Sequence, residues 1–280
     1  MRDIQCAAIT ALIRDLCIRA NCQIPDDVLC AICAARDREA SPVGKSILGD
    51  VIENDAFAAR QNLPICQDTG MAVVFADLGQ DCRIAGGSFE DAVNAGVAAG
   101  YTEGFLRKSI VSEPLRRVNT EDNTPAVLHL RLVPGDRLTL TVAPKGAGSE
   151  NMTTLRMLKP SASQQDVEDA IVQAVSDAGS NPCPLVIVGV GLGGSSEQCA
   201  LLAKRALLRP LDESHPDPFY AEMEARLLER INRLGIGPQG LGGTQTALAV
   251  SIRTAPTHIA QLPLCVNLCC HVCRHASGVL

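Results

Sequence analysis

The run Pro64-Ile65-Cys66-Gln67-Asp68-Thr69-Gly70 sets a thiol, an amide, a carboxylate and a hydroxyl side by side, closed by a glycine. Such a loop can present a thiolate beside a carboxylate able to move protons. The same residues also make a plain polar turn. Two further cysteines stand in loop-like settings. Cys183 lies between prolines in Asn181-Pro182-Cys183-Pro184, where the chain is stiffened and stripped of backbone donors around the sulfur. Cys270 belongs to Leu268-Cys269-Cys270-His271-Val272-Cys273-Arg274-His275, a stretch dense in possible ligands. Structural zinc sites and ferredoxin-type clusters draw on closely spaced cysteines. Three isolated thiolates on three loops suit instead a 4Fe–4S cluster with one iron lacking a protein ligand. That iron can act as a Lewis acid on a hydroxyl and a carboxylate. Cys30 and Cys33 form a CxxC inside a predicted helix, where two buried thiols are the simpler reading and no second CxxC pairs with them.

Two glycine-rich loops compete for attention. Gly189-Val190-Gly191-Leu192-Gly193-Gly194 follows a predicted strand and precedes a predicted helix, with the spacing of a dinucleotide fingerprint. The acidic residue expected at the end of a second strand is missing, since Asp212 follows a helix and a turn. Close backbone packing or anion contact at a helix N-terminus is favoured there. Lys145-Gly146-Ala147-Gly148-Ser149-Glu150-Asn151 lacks the order of a phosphate loop, but its amides could bind a substrate carboxylate.

Composition narrows the function classes. The chain has 280 residues and a formal net charge of −6, which argues against a nucleic-acid surface. Aromatics are 2% with no Trp, so no stacking platform for single strands is available. No apolar run reaches ~18 residues, so no membrane span is expected. Arg14 and Asp15 break the N-terminal apolar run and no small-residue cleavage site follows, so no signal peptide is expected. An odd thirteen cysteines in a chain with 46% hydrophobic residues fit a reducing, cytoplasmic setting better than a disulfide framework.

The elements that must position these loops follow from periodicity. Helices are predicted over 4–21, 26–38 and 46–60, making a helical N-terminal section within a single domain spanning 1–280. Strands are predicted over 71–78, 126–133, 137–143, 185–190, 246–252 and 262–268, and helices over 89–106, 166–178, 196–208 and 218–234. Pro134-Gly135-Asp136 predicts a hairpin joining the second and third strands. The fold class is α/β in the mixed α+β sense, with the cluster carried on three loops.

PICQDTG, KGAGSEN, NPCP with VGVGLGGSSE, NRLGIGPQGLGG and the LPLCVN–CCH ending occur in the order seen in class I (iron–sulfur) fumarate hydratases. The chain resembles the α subunit or N-terminal catalytic domain of that family over about residues 5–276. L(+)-tartrate dehydratase α subunits share CQDTG and the Gly-Pro-Gln-Gly loop, whereas KGAGSEN and THIAQLPLCVN look more like the fumarase branch. The resemblance implies a lyase of the tricarboxylic acid cycle and cluster ligands Cys66, Cys183 and Cys270, with Cys269 the neighbouring alternative to Cys270. It implies substrate contacts from Gln67, Asp68, Arg107 and a glycine of KGAGSEN, Gly148 in preference to Gly146. It implies proton transfer by Asp68, with His258 as an active-site histidine. A second domain found in single-chain relatives is absent, so the resemblance implies a heteromer with a separate β chain and a small C4 dicarboxylate substrate. The expected reaction is reversible hydration of fumarate to (S)-malate; the alternatives are dehydration of L(+)-tartrate or another hydroxy-diacid. A non-catalytic iron–sulfur redox or sensor protein, with Cys269 or Cys273 as fourth ligand, and a dinucleotide-dependent oxidoreductase are the readings from other classes.

Overall fold

The computed structural model describes residues 1–280. In chain order the elements are β1 (Arg2–Gln5), α1 (Cys6–Cys22), α2 (Asp26–Arg38), α3 (Pro42–Gln61), β2 (Met71–Gly79), β3 (Cys82–Ala85), α4 (Phe89–Glu103), β4 (Val127–Val133), β5 (Leu138–Lys145) and α5 (Ala147–Glu150). There follow β6 (Thr154–Leu158), α6 (Gln164–Ala178), β7 (Val186–Gly193), α7 (Ser196–Ala206), α8 (Pro218–Asn232), a 3-10 turn (Pro238–Gly240), β8 (Ala247–Ala255), β9 (Leu262–Cys270) and β10 (Ala276–Val279). Mixed α+β, with a helical N-terminal region, is the observed class. The chain forms two compact units: Met1–Pro25 with Asn54–Ala147 and Arg274–Leu280, and Asp26–Glu53 with Gly148–Cys273.

The first unit carries a four-stranded sheet in the order β10-β5-β2-β4 and a short parallel pair, β1 with β3. Alternation in β5 buries Leu138, Leu140 and Val142 against α1 and α4, where Ile9, Ile13, Val93, Val97 and Tyr101 complete the core. Ser88 starts α4 by accepting the Asp91 N–H, which satisfies one of the donors a helix start leaves open.

The predicted hairpin between β4 and β5 is not formed. Central β2 lies between them, pairing parallel with β4 and antiparallel with β5. Residues 134–137 therefore cross the end of β2, and Gly79, Gln80 and Asp81 donate backbone bonds to Arg137, Val133 and Gly135. Two strand spacings of roughly 4.8 Å are within reach of four residues, so the turn signal was real but its strands are not neighbours. The predicted helix 4–21 also starts later, because Arg2–Gln5 pairs with Cys82–Ala85 as β1.

The second unit carries a sheet in the order β6-β9-β7-β8. Strand β9 runs antiparallel to both β6 and β7, and β7 runs parallel to β8. Strand β7 is buried almost throughout. Residues Val167, Ile171 and Val175 of α6 and Met223, Leu227 and Ile231 of α8 pack on this sheet in one apolar cluster. Helix α6 opens with a reciprocal capping box between Ser163 and Asp166, and α8 with Asp217 capping ahead of Pro218. Helix α7 lies directly on β7. A Cβ at Gly189 or Gly191 would meet the Ala203 or Cys199 carbonyl at 2.3 or 2.0 Å, so these two glycines serve close helix–strand packing.

Candidate functional site

In the first unit the Pro64–Gly70 loop sits between α3 and β2. Its main-chain carbonyls point into the unit and are held there by three side chains from different parts of the chain. Arg274 donates through Nη2 to the Asp68 carbonyl. The Tyr101 hydroxyl shares its one proton between the carbonyls of Thr69 (2.8 Å) and Gly70 (3.1 Å). Asn123 Nδ2 donates to the Gly70 carbonyl at 3.2 Å. All three donors are buried: Tyr101 and Asn123 at 0% exposure and Arg274 at 4%. Burial drives the Tyr101 phenol strongly upward, so it stays a donor.

With its carbonyls drawn inward, the loop keeps its reactive side chains toward the surface. Cys66 and Asp68 are partly exposed and Gln67 is exposed. The Asp68 N–H donates to Cys66 Sγ at 3.4 Å, and Cys66 Sγ lies 2.9 Å from Gln67 Oε1. The Asp68 carboxylate accepts from Gly70 N–H (3.0 Å) and from Ala147 N–H (2.9 Å). Gly146 lies beside it, its missing Cβ only 3.1 Å from Asp68 Oδ2. The buried Thr69 hydroxyl donates to the Arg107 carbonyl at 3.1 Å, which ties the main chain of Arg107 to the loop and leaves that residue exposed. Cys66, Gln67, Asp68 and Arg107 are thus one constellation.

In the second unit Cys183 and Cys270 share one end of the sheet. Cys270 is in register with Val186 across β9 and β7, and Cys183 precedes Val186 by three residues. Cys183 is exposed, in a left-handed conformation with φ 53°. Cys270 is partly exposed, whereas Cys269, on the opposite face of the same strand, is buried. Gly148 belongs to this end as well, since a Cβ there would lie 3.4 Å from the Asn181 carbonyl.

His258 does not. It follows β8 at its far end, exposed, with Nδ1 accepting from Ala260 N–H at 3.1 Å. The length of β7 from Val186 to Gly193 separates the two ends, roughly 23 Å at ~3.3 Å per residue.

None of the thirteen cysteines is in a disulfide. They divide chemically. Burial pushes the thiols of Cys17 and Cys265 up to about 12 and that of Cys199 to about 11, which suits inert core residues. Cys66, Cys183 and Cys270 are all reachable from solvent. Neither unit by itself gathers three His, Cys, Asp or Glu side chains as a metal-ion site. The donor chemistry of the three accessible thiols nevertheless fits a thiolate-held cluster.

Tyr101, Asn123, Arg274 and Gln239 emerge only from the structure. Tyr101 is one of just two tyrosines in an aromatic-poor chain, which is a faint signal. Gln239 lies in a quoted motif, and nothing about Asn123 stands out.

No helix is long and apolar enough to cross a membrane. The model of the family described as "Fumarate hydratase (Fumerase)" matches residues 10–279. The chain is 36% identical over 274 residues to the "Putative L(+)-tartrate dehydratase subunit alpha" of Methanocaldococcus jannaschii, covering 96% of each. It is 33% identical over 276 residues to the L(+)-tartrate dehydratase subunit alpha of Escherichia coli strain UTI89, covering 97% of this chain and 90% of that one.

Proposed function

The chain belongs to the fumarate hydratase family, and from that premise we propose that it is the α-type subunit of an iron–sulfur hydro-lyase acting on a C4 dicarboxylate. The proposed reaction is reversible addition of water to fumarate, giving (S)-malate. The observation that carries the reading is the Cys66–Arg107 constellation, a thiol, a carboxylate and a guanidinium-bearing segment fixed together by the Thr69–Arg107 hydrogen bond.

In this proposal Cys66, Cys183 and Cys270 hold the 4Fe–4S cluster, and the accessibility of Cys270 beside buried Cys269 supports it as the third ligand. When bound, a cluster with one iron lacking a protein ligand supplies Lewis acidity toward hydroxyl and carboxylate oxygens. The chain's own groups do the rest. Arg107 binds a substrate carboxylate, with the bidentate geometry a planar guanidinium offers. Gln67 and Gly148 contact the substrate. Asp68, braced by the Gly70 and Ala147 N–H groups, carries the proton of the substrate hydroxyl. His258 shares the Thr257-His258-Ile259-Ala260 motif, but the length of β7 separates it from Cys183 and Cys270, so it is given no role beside them in this chain.

A separate β chain supplies the clamp for the second carboxylate and the base at C3; the "subunit alpha" names of the relatives support a two-chain enzyme. Those names also favour a second reading, dehydration of L(+)-tartrate. A reducing compartment such as the cytoplasm is the proposed setting, supported by thirteen cysteines of which none is in a disulfide. The test is to reconstitute the chain anaerobically with iron and sulfide and assay it with and without the β chain. Fumarate hydration that requires both chains is expected. Turnover by this chain alone refutes the two-chain reading, and L(+)-tartrate turnover at a higher kcat/KM than fumarate replaces the substrate.

A further inference from the structure

The Gly-Pro-Gln-Gly segment is absorbed by none of the roles above, yet it lies where two proposed ligands meet. The 3-10 turn Pro238–Gly240 places Gln239 at φ 53°, a left-handed conformation uncommon for a residue with a side chain. The turn is pressed onto the Cys183 loop: a Cβ at Gly240 would lie 2.3 Å from Ser180 Cβ. Gln239 then reaches in two directions. Its backbone N–H donates to the Pro184 carbonyl at 2.5 Å, and its side-chain Nε2 donates to the same oxygen at 2.9 Å. The same Nε2 lies 3.4 Å from His271 Nδ1. Pro184 is the residue after Cys183, and His271 is the residue after Cys270.

We infer that Gln239 is a positioning residue that sets the spacing of Cys183 and Cys270; the inference rests on the proposed cluster and on both cysteines being ligands. One amide nitrogen bonds the main chain beside the first sulfur and the side chain beside the second. The backbone bond to Pro184 would survive substitution, so the side chain contributes to holding the ligands rather than to folding the turn. Groups that orient ligands in this way typically contribute one to two orders of magnitude to metal retention.

The test uses Gln239→Met, which keeps the length of the side chain and removes its donor, with Gln245→Met on the same segment as control. Each protein is loaded anaerobically with iron and sulfide, and iron release to a ferrous chelator is timed. Thermal unfolding of the unloaded proteins is followed by circular dichroism. Gln239→Met should release iron about 10- to 100-fold faster than the unmodified chain, with melting unchanged, and Gln245→Met should match the unmodified chain. Release at the unmodified rate overturns the inference and leaves the cluster reading standing. An unmodified chain that takes up no iron and sulfide overturns both. Should Gln239→Met fail to fold, Gln239→Asn, one methylene shorter, is read in the same way. Failure of both to fold assigns Gln239 to folding and overturns the inference.

Discussion

Replacing Tyr101 by Phe removes one hydroxyl from beneath the Cys66–Asp68 loop and leaves the ring in place, so no large cavity forms. The hydroxyl serves two buried acceptors, the carbonyls of Thr69 and Gly70. Gly70 keeps its bond from Asn123, so the substitution orphans one carbonyl, that of Thr69, a residue 1% exposed. Leaving one buried acceptor unsatisfied costs about 1–3 kcal/mol. Chemical unfolding of the unloaded chain by circular dichroism should therefore show a loss near ~2 kcal/mol. Asn123→Ala costs more, since Asn123 Oδ1 also accepts from Ser109 and Ile110 N–H groups. The double mutant separates this account from a generic packing loss. In either single mutant the Gly70 carbonyl still has a donor, and in the double mutant it has none. The double mutant should exceed the sum of the singles by about 1 kcal/mol. Additivity within ~0.4 kcal/mol refutes a shared acceptor. A Tyr101→Phe loss under ~0.5 kcal/mol refutes the view that buried hydrogen bonding holds the loop.

Three further outcomes test other parts of the structure. Glu39, 1% exposed, accepts from the N–H groups of Ser41, Thr244 and Gln245 and from the Thr244 hydroxyl. Burial works to raise its pKa, but these bonds outweigh it and hold the carboxyl below its ordinary 4.5. Its stabilisation is therefore full above the unfolded value and lost as pH falls through the folded one. Glu39→Gln should cost about 2 kcal/mol at pH 7, and denaturant titrations should show that gap narrowing below about pH 4. Asp68→Asn should lower kcat by ~10²–10⁴ with iron content unchanged, and retention of more than about a tenth of the rate removes Asp68 from proton transfer. His258→Asn, at the far end of β7 from Cys183 and Cys270, should leave kcat within about threefold of the unmodified enzyme, and a fall of ~10²-fold or more returns the histidine to the mechanism.

Long amphipathic helices were legible because their periodicity is local: α2 is found at its predicted bounds, and α6, α7 and α8 within two residues at each end. Strands β1, β3, β6 and β10 were not, since four or five residues at a sheet edge carry too little alternation to stand out. The hairpin failed for a related reason. The Pro134–Asp136 turn encodes a reversal, but which strand fills the gap is decided by the burial of β2 between β4 and β5, a long-range outcome.

The same division runs through the candidate site. Cys66, Gln67, Asp68 and Arg107 could be picked out because chemistry-bearing side chains announce themselves by type. Their support could not, because it is exerted on main-chain oxygens that every residue possesses. Arg274, Tyr101 and Asn123 become site residues only once the fold brings three separate segments under three successive carbonyls. Gln239 extends the point: its partners are the oxygen of Pro184 and one nitrogen of His271, and neither pairing has a sequence signature. A loop that turns its carbonyls inward to buried donors frees its side chains to face outward, so the stability of the loop and its chemistry are two sides of one peptide path. Substitutions on the inner side should therefore alter loop order and activity together, whereas substitutions of Gln67 or Arg107 on the outer side should alter activity and leave unfolding within about 0.5 kcal/mol of the unmodified chain.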